Sequence, residues 1–207
     1  KLAELYLSGA GVPKSGSTAF EWYRRAAELG HALAQNKLGT LYHSGEVIVT
    51  DLVEAAGWYL RAAEKGVAAA QYNLAVLYEN GEGVGLDGEK AVAWYTLAAR
   101  QNYGLAQIAL GEMYDWGHGA PYDPEAAAKW YRRAAEAGVA RAQSRLGVMY
   151  AEGRIVSGND REAALWFVRA ARQGDADAQH HLALFYESGR GLARDPSAAA
   201  RWYLAAA

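Results

Sequence analysis

Apolar positions recur along the chain at a fixed interval of 36 residues, with no insertion or deletion. Trp22, Trp58, Trp94, Trp130, Trp166 and Trp202 mark the interval, and an alanine pair follows each of them, from Ala26-Ala27 to Ala206-Ala207. Two helical stripes fit within one interval. In the first, Ala70, Leu74, Leu77, Tyr78 and Gly81 are spaced four, three, one and three apart, which puts them on one face of a helix. The second carries the tryptophan, as in Ala127-Ala128-Lys129-Trp130-Tyr131-Arg132-Arg133-Ala134-Ala135. Polar and glycine positions punctuate both. First helices are predicted to stop at Gly9, Gly45, Gly81, Gly117, Gly153 and Gly189. Second helices are predicted to start after the capping residues Asp51, Asp87, Asp123, Asn159 and Asp195, and to close in a left-handed residue at Gly30, Gly66, Asn102, Gly138 and Gly174. Pro124 and Pro196 suit the first helical position, and Glu54 and Glu162 stand where a capping box would bond back to Asp51 and Asn159.

A period of this length is the signature of a repeat array. The expectation is an all-α fold, an α/α solenoid (right-handed superhelix) of about six 36-residue helix-pair repeats. It is read as a single array over 1–207, with a partial repeat 1–30, repeats 31–66, 67–102, 103–138 and 139–174, and a partial repeat 175–207. Lys1 falls inside a first helix and Ala207 inside a second, so the chain reads as a fragment of a longer array or of a longer protein. Leu2, Leu5 and Tyr6 would then be frayed or covered by another element. Small Ala and Gly columns let helices approach, and the Trp and Tyr columns fill the space between them. All six repeat tryptophans are therefore expected to be buried, with Trp130 in the interface of the fourth and fifth repeats. Val47 and Ile155 replace a loop glycine found as Gly11, Gly83, Gly119 and Gly191. Ile48 belongs to an apolar column (Val12, Val84, Ala120, Val156, Leu192) that reads as a plug of the helix junction, while Val47 and Val49 read either as packing or as a contact patch.

The composite pattern Ala-Gln-x-x-Leu-Gly-x-x-Tyr-x-x-Gly, then Ala-x-x-Trp-Tyr-x-x-Ala-Ala-x-x-Gly, resembles the Sel1-like repeat (SLR), a relative of the tetratricopeptide repeat, over the whole chain. A tetratricopeptide would run at about 34 residues with a shorter connection. The resemblance implies a non-catalytic adaptor that assembles protein complexes, of bacterial origin. It implies the periplasm or cell envelope as compartment, with the cytoplasm as the alternative.

Composition narrows the partners. A net charge of -2 argues against a phosphate-neutralising surface, so no nucleic acid is expected. There is no cysteine, which removes disulfides and thiolate metal sites. No apolar run approaches the roughly 20 residues of a membrane span. His180-His181 with Glu187 is the densest titratable group, yet adjacent helical histidines point about 100° apart. Zinc-protease spacing, a nucleophile elbow and a phosphate loop are all missing, so neither an enzyme nor a cofactor or metal site is expected.

Candidate binding residues are those left after the repeat columns are subtracted. Of 24 aromatics, the five outside recurrent apolar columns are Phe20, Tyr72, Tyr103, Trp116 and Tyr122. Trp116 stands out because its column otherwise holds Ser8, Ser44, Asn80, Glu152 and Ser188. With His118 and Tyr122 it forms an aromatic loop in the fourth repeat that either anchors a partner or folds back beside Pro121 and Tyr122. A second candidate is the variable face of the first helices, which line the concave groove in helix-pair solenoids. It has rows such as Leu105/Ala109/Glu112/Trp116, Arg141/Arg145/Val148/Glu152 and Asp177/His181/Leu184/Ser188. The partner-binding set is Trp116, His118, Tyr122, Tyr72, Asn73, Glu112, Arg141, Arg145 and His181, with a protein or peptide as ligand. The alternative ligand is a glycan or peptidoglycan stacked on the exposed aromatics. Arg25, Arg61 and Arg133 read as surface pairs with Glu28, Glu64 and Glu136.

Overall fold

A computed structural model describes residues 1–155 and 158–207, so Val156 of the plug column lies outside the described residues. Among the described residues there are twelve helices and no strand. They fall into two compact units. The first, Lys1–Tyr103, holds α1 (Leu2–Ser8), α2 (Gly16–Glu28), α3 (Ala32–Ser44), α4 (Leu52–Glu64), α5 (Ala68–Asn80) and α6 (Gly88–Arg100). The second, Gly104–Ala207, holds α7 (Gly104–Trp116), α8 (Pro124–Glu136), α9 (Ala140–Glu152), α10 (Asp160–Ala171), α11 (Ala176–Ser188) and α12 (Pro196–Ala206). Odd-numbered helices are the first helices of the repeats and even-numbered ones the second.

Capping follows the sequence, with one change. Asp51, Asp87, Asp123, Asn159 and Asp195 all accept from first-turn amides. Asn102, at φ 63°, is the one left-handed residue other than glycine among those described, and it sits where the other repeats have glycine. The capping boxes do not close as expected. The Asp51 and Asn159 amides donate instead to the carbonyls of Tyr42 and Tyr150, at 2.9 and 3.1 Å, so Glu54 and Glu162 have no amide left to take. The same bridge ties Ser15 to Tyr6, Asp87 to Tyr78, Asp123 to Tyr114 and Asp195 to Tyr186.

The core repeats a three-helix theme. One cluster joins Ala127, Ala128, Tyr131, Ala134 and Ala135 of α8 with Ala142, Leu146 and Met149 of α9 and Trp166 of α10. A second helix, the following first helix and the next tryptophan recur as α4, α5 and Trp94, and as α10, α11 and Trp202. Glycine permits the closest approach: a β-carbon on Gly111 would stand 2.6 Å from the Tyr131 ring, and one on Gly147 would stand 2.7 Å from Phe167. Buried glutamines clip neighbouring helices together, because the side-chain amides of Gln35, Gln71, Gln143 and Gln179 donate to the carbonyls of Ala27, Ala63, Ala135 and Ala171. These carbonyls lie at helix C-termini, where four oxygens lack intrahelical donors.

Two packing expectations are corrected. Tyr59, Tyr95, Tyr131 and Phe167, not the tryptophans, are the fully buried rings of the second helices. Trp22 is 39% exposed, and only Trp166 among the six falls below 9%. The residue next to a core-facing tyrosine is rotated about 100° around the helix, so each tryptophan covers the edge of the core and not its centre. The ring within the fourth repeat's cluster is accordingly Trp166, not Trp130. Its outer face takes an arginine: Arg25, Arg61, Arg133 and Arg169 lie over Trp22, Trp58, Trp130 and Trp166 at 5.3, 4.4, 5.8 and 4.5 Å. The expected Arg25–Glu28 and Arg61–Glu64 pairs do not occur among the described ion pairs.

The loops settle the apolar exceptions. Val47 packs on the cluster of Ala3, Tyr23 and Leu41 and fills the space beside Gly16, and Ile155 packs on the α8–α9 cluster. Ile48 is half-buried, whereas Val49 is 89% exposed.

Candidate functional site

The second unit gathers six of the nine sequence-predicted residues around the end of α7. Glu112 and Trp116 lie one turn apart on that helix, and Trp116 is its last residue, 51% exposed. Arg141 and Arg145 reach across from α9 to Glu112, with N–O distances of 2.6 and 3.3 Å. Glu112 keeps only 15% of its side chain exposed, and two charge-assisted contacts compensate that burial. Arg145 also lies over the Trp116 ring at 5.7 Å, and His118 meets that ring edge-on at 6.1 Å. The indole is thus clamped by the next repeat while its other surface faces solvent. Tyr122 is 60% exposed.

Behind this face lies a contact that the sequence reading did not single out. Asp115 is buried and takes a two-pronged contact from Arg154, whose guanidinium also bonds Tyr122. Burial alone would lower the Arg154 pKa, and the bonds to Tyr122 and Asp115 raise it above the ordinary arginine value. The Trp116 loop is therefore pinned to the fifth repeat from two sides. The Asp115 column, otherwise Leu7, His43, Glu79, Ala151 and Glu187, was the signal available in the sequence.

The remaining three predicted residues stand elsewhere. Tyr72 and Asn73 belong to the first unit. Tyr72 is half-buried between Tyr95 and Tyr103, with ring centroids 5.6 and 5.4 Å away, and Asn73 donates to Asn36 at 3.5 Å. His181 of α11 is stacked on Phe167 at 4.9 Å. Burial, and then the neighbouring His180, hold its pKa below the usual histidine value. His180 turns away to Tyr203, whose hydroxyl donates to Glu187 at 2.7 Å. Phe20 packs edge-on to Tyr42 at 5.6 Å.

His181 lines a groove of about 510 Å³ between α9 and α11, with Val148, Ala151, Glu152, Leu184 and Phe185 among its walls. In the first unit, Leu33 and Lys37 join Leu2 and Trp22 around a groove of about 650 Å³. No helix of the described residues is long and apolar enough to cross a membrane. Among the described residues, no group of three or more histidine or acidic side chains is arranged to hold a metal ion.

Comparison with known proteins places the repeats in a family. The family model for the Sel1 repeat matches residues 1–31, 32–67, 68–103, 104–139, 140–175 and 176–207. A protective antigen of uropathogenic Escherichia coli with an SLR fold is 37% identical in sequence at a TM-score of 0.96, over 99% of this chain and 44% of that one. A Sel1 repeat protein from Oxalobacter formigenes is 36% identical at a TM-score of 0.88, over 99% of this chain and 59% of that one. The chain thus spans about half the length of these two. An immunity protein from Pseudomonas aeruginosa, at 22% identity and a TM-score of 0.56 over 98% of this chain and 75% of that one, shares the fold alone. No curated protein matches the chain.

Proposed function

Because this chain belongs to the Sel1 repeat family, we propose that it binds a partner protein or peptide through the first-helix face of its repeats, with the Trp116 loop as an anchor. Sel1 repeat proteins are generally non-enzymatic scaffolds for protein interaction. The observation that carries the finer reading is the state of Trp116. Its ring is half exposed yet held by Arg145, which is itself held by Glu112. A large apolar surface fixed before binding loses little side-chain freedom on association, which is the property of an interface anchor. Tyr122, fixed through Arg154, supplies a second exposed ring beside it.

Paired affinity baits test this. The intact chain and a Trp116→Ala/Tyr122→Ala variant are exposed to extract from the source organism, and the retained proteins are identified by mass spectrometry. A protein held by the intact chain and lost by the variant is expected. Equal retention by both baits would remove the Trp116 loop from the binding surface. The glycan reading uses the same two rings, and no observation favours it.

A further inference from the structure

We propose that the groove between α9 and α11 seats an apolar side chain of a partner peptide whose neighbouring residue is lysine or arginine. The proposal rests on the protein-binding reading of the first-helix face and names the chemistry of one place on it.

The groove lies where the fifth repeat lacks a polar pair that the third and sixth repeats have. In the third repeat the Tyr95 hydroxyl donates to Glu79 at 2.5 Å, and in the sixth the Tyr203 hydroxyl donates to Glu187 at 2.7 Å, sixteen residues back in each case. The fifth repeat has Phe167 and, sixteen residues back, Ala151. Neither hydroxyl nor carboxylate is present there, so no polar group is stranded, and Ala151 forms the accessible floor above Phe167 and Phe185, which are 0% and 3% exposed and lie beneath His181 and Arg190. Val148 and Leu184 continue that surface to the outside, where Leu184 is 40% exposed. A volume of about 510 Å³ admits a leucine, methionine or phenylalanine side chain with room for backbone.

The rim gives the charge of the occupant. Glu152 is 53% exposed and touches Arg154 only at 3.6 Å, while that arginine is already engaged by Asp115. Glu187 accepts the neutral Tyr203 hydroxyl. The cation in the lining, Arg190, is spent on Asp160 through contacts of 2.6 and 3.2 Å and on the Ala151 carbonyl. An apolar floor under two carboxylates is complementary to an apolar residue flanked by a cation, and it disfavours an acidic segment.

The test is a random twelve-residue peptide library displayed on phage and panned against the intact chain. It is counter-selected on Ala151→Glu/Phe167→Tyr, which introduces the pair seen at Glu79 and Tyr95 and fills the floor. Circular dichroism and melting confirm that this variant is folded, and Leu184→Arg, at a half-exposed site, serves as the second variant. Discriminating clones are expected to carry leucine, methionine or phenylalanine within two residues of lysine or arginine, and to bind both variants at least tenfold more weakly. The groove assignment is overturned if no clone discriminates, or if the discriminating clones are acidic. Clones that bind both groove variants equally but are lost on Trp116→Ala would also overturn it, while leaving the adaptor reading intact.

Discussion

Replacing Tyr131 by phenylalanine should make the protein more stable. Its ring is fully buried, and its hydroxyl has no hydrogen-bond partner among the described residues. Burial first, and then the nearby Asp115 and Glu112, push the phenol's pKa well above its ordinary value. Those two carboxylates are turned to Arg154 and to Arg141 and Arg145, so neither accepts from Tyr131. A buried hydroxyl without a bond costs about 1–3 kcal/mol. Phe167 shows that the bare ring fits the same place, against Gly147 as Tyr131 is against Gly111. Tyr131→Phe should therefore gain about 1 kcal/mol, or roughly 2–4 °C in melting temperature for a chain of this size. Tyr95→Phe is the control, because it removes the 2.5 Å bond to Glu79 and should lose about 1–2 kcal/mol. Calorimetric melts and urea midpoints at unchanged slope would measure both. A lower midpoint for Tyr131→Phe would refute the reasoning, since it would mean that the hydroxyl is satisfied.

Three further outcomes follow from the same contacts. Gln143→Leu should cost about 1–3 kcal/mol in urea unfolding, because the Ala135 carbonyl loses its 3.0 Å donor and Gln173 loses its acceptor at 2.8 Å. Trp116→Ala should leave the melting temperature within about 2 °C of the parent, as expected at an exposed site, whereas Tyr59→Ala should cost about 3–5 kcal/mol; a large drop for Trp116→Ala would make that ring structural. His181 has its folded pKa depressed below 6.5, so the unfolded chain binds more protons and stability should fall as pH drops below about 6.5, levelling off below the folded value. His181→Gln should remove that part of the slope between pH 7.5 and 5.5, read against the parent with His180, Asp177, Glu152 and Asp175 unchanged.

The array was legible in the sequence because a 36-residue period repeats the same evidence six times. Caps such as Asp123 and left-handed closers such as Asn102 are local signals, and they land where they were read. Bonds between distant residues were not legible. Nothing in the spacing says that the Asp51 amide turns to Tyr42 and not to Glu54, or that Tyr takes the centre of the core and Trp its edge. At the candidate site, subtracting the repeat columns found Trp116 and the Glu112, Arg141 and Arg145 row. It passed over Asp115, Arg154 and the Ala151–Phe167 pair, whose meaning appears only when residues sixteen or thirty-nine apart are seen to touch.

The amide bridge from each second-helix cap to the tyrosine carbonyl nine residues earlier has a consequence for how the loops can differ. Both ends of every loop are tied to each other by one backbone bond, which is indifferent to side chains. An inserted residue would shift the cap past its acceptor, whereas a substituted one leaves the bridge untouched. The six loops of this chain accordingly vary in lettering and never in length: Trp116 and Tyr122 occupy the same frame that holds Ser44 and Thr50. Foreign residues at 118 and 120–122, with Asp115, Gly117 and Gly119 kept, should therefore be tolerated in place, while one inserted residue should not.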